Sequence, residues 1–309
     1  MTRNHSISSR ALLAVCLALI ALLVAAKPAA TPPQSFASPE AAADALAVAA
    51  RAGDSKAVLA VFGSTGKDIA TSGDPVADAN AREKFAEDYA AGHRIERDGD
   101  AKATLVYGSD DFPFPVPIVK RGESWQFDAA AGREEILARR VGRNELDAIQ
   151  VCLAYVDAQR EYATVDRNGD GLFDYAQKVL STPGTHDGLY WPSKPGEPES
   201  PLGELVADAR AEGYKDEGKR APYHGYYYKV LTAQGPHAAG GAYDYLVRKR
   251  MIGGFALLAF PAEYGVSGVM TFEVNHDGVV FSKDLGPDTA KRAAAITRFD
   301  PDQTWKKEQ

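Results

Sequence analysis

The stretch Val269-Met270-Thr271-Phe272-Glu273-Val274-Asn275-His276-Asp277-Gly278-Val279-Val280-Phe281-Ser282 decides the fold. Two runs rich in β-branched and aromatic residues flank Asn275-His276-Asp277-Gly278, and Asp-Gly takes the positive φ that a tight hairpin needs. Upstream, 225–232, 243–247 and 254–260 read as further strands, which together make an antiparallel meander. Before them, Pro183-Gly184, Trp191-Pro192, Pro195-Gly196, Pro198 and Pro201 leave 181–203 little room for regular structure. A short helix fits 202–212. The loop is preceded by a long helix, with Asn144 placed as its cap, Asp147 in a capping-box-like relation, and Leu146, Ile149, Leu153 and Val156 at helical spacing toward residue 164. Residues 132–141 read as a charged helical connector ended by Gly142.

Toward the amino terminus a second unit emerges. Ser38-Pro39-Glu40 has an N-cap, a first-turn proline and an acid facing the helix dipole, so an Ala-rich helix starts there and stops at Gly53-Asp54. Shorter helices are expected over 56–62 and 79–91. Then 101–107 alternates as a strand, and 112–118 is extended because each Pro restricts its predecessor. Residues 123–128 pair back across Arg121-Gly122. Helices followed by a meander give α+β, twice over.

The 309 residues are 45% hydrophobic and 25% charged, an ordinary globular composition that excludes a disordered or polytopic membrane chain. Net charge is −7 with no basic block, which excludes nucleic acid as an expected partner. Residues 1–10 are polar with Arg3 and Arg10, and 11–26 are apolar, ending Val24-Ala25-Ala26. This is the layout of a secretory signal cleaved after Ala26. The apolar run falls short of the roughly 20 residues that span a bilayer, so membrane attachment is expected only through an uncleaved signal anchor. Loss of the signal leaves 33 basic against 42 acidic residues. Cys16 lies in the signal, so Cys152 stands alone and no internal disulfide can form; its helical stripe points to a buried, inert thiol.

Three resemblances sit on these elements. Residues 35–140 resemble the cone-shaped domains of the nuclear transport factor 2-like superfamily, on Ser38-Pro39-Glu40-Ala41-Ala42, Ala52-Gly53-Asp54 and Ser124-Trp125-Gln126-Phe127-Asp128. That implies an apolar pocket, with Asp88, Tyr89 and His93 as polar groups in reach of it. Residues 143–285 resemble the soluble head of type IV pilins and pseudopilins, on Asn144-Glu145, Ala158-Gln159-Arg160-Glu161-Tyr162, Gly225-Tyr226-Tyr227-Tyr228, Ala259-Phe260-Pro261-Ala262 and Asp277-Gly278-Val279-Val280-Phe281. A pilin head continues a hydrophobic amino-terminal helix, whereas here a whole domain precedes it, so the likeness implies a fold and not a pilus. Nearly the whole mature chain resembles the family called domain of unknown function 2950, on Phe112-Pro113-Phe114-Pro115-Val116-Pro117, Gly188-Leu189-Tyr190-Trp191-Pro192, Tyr223-His224-Gly225-Tyr226-Tyr227-Tyr228-Lys229 and Tyr264-Gly265-Val266-Ser267-Gly268-Val269-Met270-Thr271-Phe272. That resemblance implies an exported envelope protein and brings no reaction with it.

The sharpest local chemistry is Asp166-Arg167-Asn168-Gly169-Asp170-Gly171-Leu172-Phe173-Asp174. Oxygens from Asp166, Asn168, Asp170, the Leu172 carbonyl and Asp174 follow the calcium-loop pattern, with Gly171 at the sharp turn and Gln177 where a bidentate Glu belongs. The alternative is a surface loop held by side-chain-to-backbone bonds. Gly63-Ser64-Thr65-Gly66-Lys67 lacks phosphate-loop spacing, and Gly265-Val266-Ser267-Gly268 lacks a nucleophile elbow's. No catalytic set is expected. Trp191, Tyr223 and His224 form a candidate ligand surface, for stacking a glycan or for core packing.

The reading is therefore an α+β protein of two domains: signal 1–26, linker 27–37, a cone-like domain over 38–140 and a pilin-head-like domain over 141–300. It is expected to be periplasmic or secreted and to work as a non-enzymatic binding or assembly component whose partner is an envelope protein or glycan. Calcium is its expected cofactor. The alternative is a cell-wall or glycan-active hydrolase using the Trp191 and His224 loops.

Overall fold

In the amino-terminal half, side-chain caps start three of the helices. The Ser38 hydroxyl accepts the Ala41 N–H and opens α1, Pro39–Arg51. Asp54 caps α2, Ser55–Phe62, and a 3₁₀ turn at Ser64–Gly66 leads into α3, Lys67–Ala70. Asp74 caps α4, Pro75–Ala91. The structure is a computed structural model that describes residues 30–308 apart from 168, 195 and 216–220. The signal segment and its cleavage point lie outside the described residues. Residues expected as linker are tied down from Gln34 onward: its N–H reaches the Ala60 carbonyl, and Phe36 pairs in both directions with Trp125.

Next come β1 His93–Asp98, β2 Lys102–Tyr107, β3 Phe112–Pro113, β4 Ile118–Arg121 and β5 Ser124–Phe127. They form an antiparallel sheet in the order β1-β2-β4-β5, with β3 added to β2. Its inner face closes on Leu46, Val61 and Phe62 from the helices and Leu105, Ile118 and Phe127 from the strands, the first hydrophobic cluster.

From this sheet runs α5, Ala129–Tyr162, 34 residues capped by Asp128 and about 51 Å long at 1.5 Å per residue. The expected break at Gly142 and cap at Asn144 are corrected: the helix is continuous and Asn144 sits in its interior. A Cβ at Gly142 would meet nothing, so no neighbour forces a turn there. The Asn144 amide serves tertiary structure instead, donating to the Ser267 carbonyl at 2.8 Å. The domain boundary expected at 140/141 thus falls within α5. Gly132 is required in its first turns, because a Cβ there would lie 2.5 Å from Val116 Cα.

The carboxy-terminal half carries α6 Gly203–Ala211, β6 Tyr226–Leu231, β7 Ala233–Gln234, β8 Tyr243–Asp244, β9 Leu246–Val247, β10 Arg250–Met251, β11 Ala256–Pro261, β12 Met270–Asn275, β13 Val280–Asp284, α7 Thr289–Ala295 and β14 Lys306–Lys307. The main sheet runs β14-β13-β12-β11-β6, all antiparallel. The hairpin closes as its sequence dictates, with Val274 opposite Val280, Gly278 at φ 80° and its N–H on the Asn275 carbonyl. β11 is buried at every position because β6 and β12 flank it and α5 and α7 pack on it. The second hydrophobic cluster joins this sheet to the rest of α5 through Cys152, Tyr155, Val156 and Tyr162. Cys152 is fully buried and burial pushes its thiol up to about 12, so it is chemically inert. Both clusters belong to one compact unit, Pro32–Gln309, of α+β class. No helix among the described residues is long and apolar enough to cross a membrane.

Candidate functional site

Two helices set the site. Asp78, Ala81, Arg82 and Phe85 fall at i, i+3, i+4 and i+7 on α4, and Ile136, Arg139, Arg140 and Arg143 repeat that spacing on α5. Residues so spaced share one helix face. Both faces line one cavity of about 250 Å³, whose floor is apolar: Leu46, Val58, Phe62, Ile69, Tyr107 and Phe114. Phe114 lies 5.6 Å from Phe85, 6.0 Å from Phe127 and 6.1 Å from Tyr107 between ring centroids, so the floor is a packed aromatic group.

Polar anchors hold the two helices in place. Asp74 is fully buried: one oxygen accepts the Val76 and Ala77 N–H groups at the start of α4, the other accepts the Tyr214 hydroxyl and the Gly225 N–H, each at 2.9 Å. On α5, Arg140 donates to the Asp68 and Ile69 carbonyls at the end of α3, and Arg133 pairs with the Asp68 carboxylate.

The cavity is rimmed by positive charge in a chain that is acidic overall. Arg139 is committed to Glu135 and lies 4.7 Å over the Phe112 ring. Burial holds the Arg140 guanidinium below its ordinary range; Asp78 opposes the shift and the like charge of Arg143 adds to it. The Nε of Arg82 is buried without a hydrogen-bond partner. Asp78, the acid on the lining, is taken by the Ser72 N–H and hydroxyl. Asp88, Tyr89 and His93 lie elsewhere: Tyr89 is buried with its hydroxyl on Asp44, His93 stacks on it at 3.7 Å, and Asp88 pairs with Lys84.

In the calcium-patterned loop, three of the five expected donors meet a cation that the chain itself provides. Arg250 donates to Asp170 and Asp174 and reaches the Leu172 carbonyl. Asp166 folds the loop by accepting the N–H groups of Gly169, Asp170 and Gly171. Asn168 lies outside the described residues. Among the described residues no group of three or more His, Cys, Asp or Glu is placed to hold a metal ion.

Of Trp191, Tyr223 and His224, the last two meet edge to face with ring centroids 4.1 Å apart. Trp191 is buried, its N–H on the Pro198 carbonyl and its ring 4.4 Å from His186. Tyr223 lines a separate apolar cavity of about 400 Å³ beneath α6, and burial pushes its hydroxyl up to about 12. His224, at φ 50°, has Nδ1 3.0 Å from Asp147 and Nε2 3.1 Å from Glu212. The imidazole thus lies between Asp147 on α5 and Glu212 at the end of α6, with its hydrogen bond to Asp147. Among the described residues no hydrogen bond or ring contact joins Trp191 to His224.

Sequence reasoning passed over the arginine cavity because it read 132–141 as a connector ended by Gly142. The signal was present in the shared spacing of Ile136, Arg139, Arg140 and Arg143. A family model described as "Protein of unknown function (DUF2950)" matches residues 33–308. No curated protein and no solved structure matches the chain.

Proposed function

We propose, from the premise that this chain belongs to the DUF2950 family, that it is a non-enzymatic binding component of the cell envelope, exported by its amino-terminal signal, which holds a small apolar ligand between α4 and α5. The cavity there carries the reading: an apolar, aromatic-floored hollow opening between two helices. Its lining has arginines and one hydrogen-bonded acid but no nucleophile paired with a base. The imidazole of His224 has a carboxylate near each nitrogen, Asp147 at 3.0 Å and Glu212 at 3.1 Å, and stands outside this cavity.

The test uses an environment-sensitive apolar dye with the purified protein and with Ile136→Trp, which fills the cavity from a partly buried position on its α5 wall. The dye should bind the protein with enhanced emission, and the variant should lose that binding while keeping its circular dichroism and melting temperature. Equal dye binding by a folded Ile136→Trp would overturn the reading.

A further inference from the structure

We infer that the ligand of this cavity is an acid-headed amphiphile, a carboxylate or phosphate on a short apolar body, whose head is held by Arg82 and Arg143 with Arg140 beside them. The inference rests on the binding function proposed above and names its ligand class.

Charge accounting within the fold leads there. Half of the arginines among the described residues form ion pairs with a carboxylate: Arg94, Arg97, Arg121, Arg133, Arg139, Arg160, Arg250 and Arg298. Among the described ion pairs none includes Arg82, Arg140 or Arg143, and these three line the same cavity. A buried guanidinium nitrogen without an acceptor is costly, and Arg82 Nε is one. Asp78 accepts from Ser72, and among the described hydrogen bonds none runs to it from Arg82.

An anion at the rim supplies what the fold omits. The planar guanidinium fork matches the paired oxygens of carboxylate and phosphate, so two arginines from facing helices can grip one head group. The apolar wall behind them reduces screening and strengthens that grip. Phe85 and Ile136 stand one turn from Arg82 and Arg140 on their helices, and Phe62 and Phe114 lie on the cavity floor. A head on the arginines therefore directs its apolar body onto the aromatic group. A free inorganic anion would leave that floor uncovered, and a neutral apolar molecule would leave Arg82 unanswered.

The experiment compares decanoate, decyl phosphate, decanol and inorganic phosphate by dye displacement and calorimetry on the purified protein, Arg82→Gln, Arg143→Gln and Arg143→Lys. Decanoate or decyl phosphate should bind at least tenfold more tightly than decanol, and whichever head binds better identifies the source as a fatty acid or a phosphate ester. Arg82→Gln and Arg143→Gln should each remove most of that preference, with Arg143→Lys restoring part of it. Arg143 is exposed, so its variants report even where Arg82→Gln fails to fold. Equal binding of decanol and decanoate, or a preference that survives Arg143→Gln, would overturn the acid-headed class while leaving the apolar binding function standing. Inorganic phosphate binding as tightly as decyl phosphate would also overturn it. If no amphiphile displaces the dye and Ile136→Trp does not alter dye binding, the binding function itself fails.

Discussion

Glu273→Gln should change how the stability of this protein depends on pH. Glu273 lies on β12, the middle strand of the second sheet, opposite Leu258 on one side and Phe281 on the other, and is 1% exposed. One of its carboxyl oxygens has no hydrogen-bond partner. Burial pushes its pKa up from 4.5 to about 8; an N–H from Asp300 and the charge of Lys283 work against that shift, and the charges of Asp300 and Asp302 add to it. Between those two values the folded chain keeps a proton that the unfolded chain has released. Stability is therefore highest below pH 4.5 for this group and declines as pH rises toward 8, by about 1.4 kcal/mol per unit, roughly 5 kcal/mol in all. Glutamine is neutral at every pH and lacks this slope. Urea unfolding at pH 5, 6, 7, 8 and 9 should show Glu273→Gln gaining on the parent by about 3 kcal/mol or more across the series. Parallel profiles for the two proteins would refute the reasoning, since they would mean that Glu273 is charged or solvated in the fold.

Three further outcomes follow from the packing. Asp74→Ala leaves the Tyr214 hydroxyl, the Gly225 N–H and two α4 N–H groups without their acceptor, and urea unfolding should register a loss of about 3 kcal/mol or more. Gly132→Ala drives a methyl into Val116 Cα and the Pro115 carbonyl; it should lower stability by about 1–3 kcal/mol, where Gly142→Ala, in open space, should be neutral or stabilising. Excess calcium against chelator should leave the melting temperature of the parent unchanged, because Arg250 already neutralises Asp170 and Asp174; a calcium-dependent rise would establish an ion site in this loop.

What was legible in the sequence was local. Ser38, the Asn275–Gly278 turn and the proline-punctuated loop each act within a few residues, and the α+β class follows from them. β1 escaped notice because His93–Asp98 is nearly all polar and exposed, an edge strand without the alternation that marks a half-buried one. Gly142 misled because an exposed glycine inside a well-packed helix need not end it. At the site the failures were long-range. The oxygens of Asp170, Leu172 and Asp174 meet Arg250, a partner far along the chain. Trp191 belongs to the second core, the packing alternative to a ligand surface. The arginine cavity needed two faces at once: the spacing on α5 was readable alone, but only the packing of α4 against it turns a charged stripe into a rim.

The most direct measurement is a methyl spectrum of protein labelled at isoleucine Cδ1, titrated with decanoate. Ile69 and Ile136 line the cavity, whereas Ile149 packs on the second core and Ile252 is exposed. A ligand held between α4 and α5 should shift the Ile69 and Ile136 signals together, saturably, and leave those of Ile149 and Ile252 in place. Shifts confined to Ile149, or none at saturating decanoate, would contradict the account.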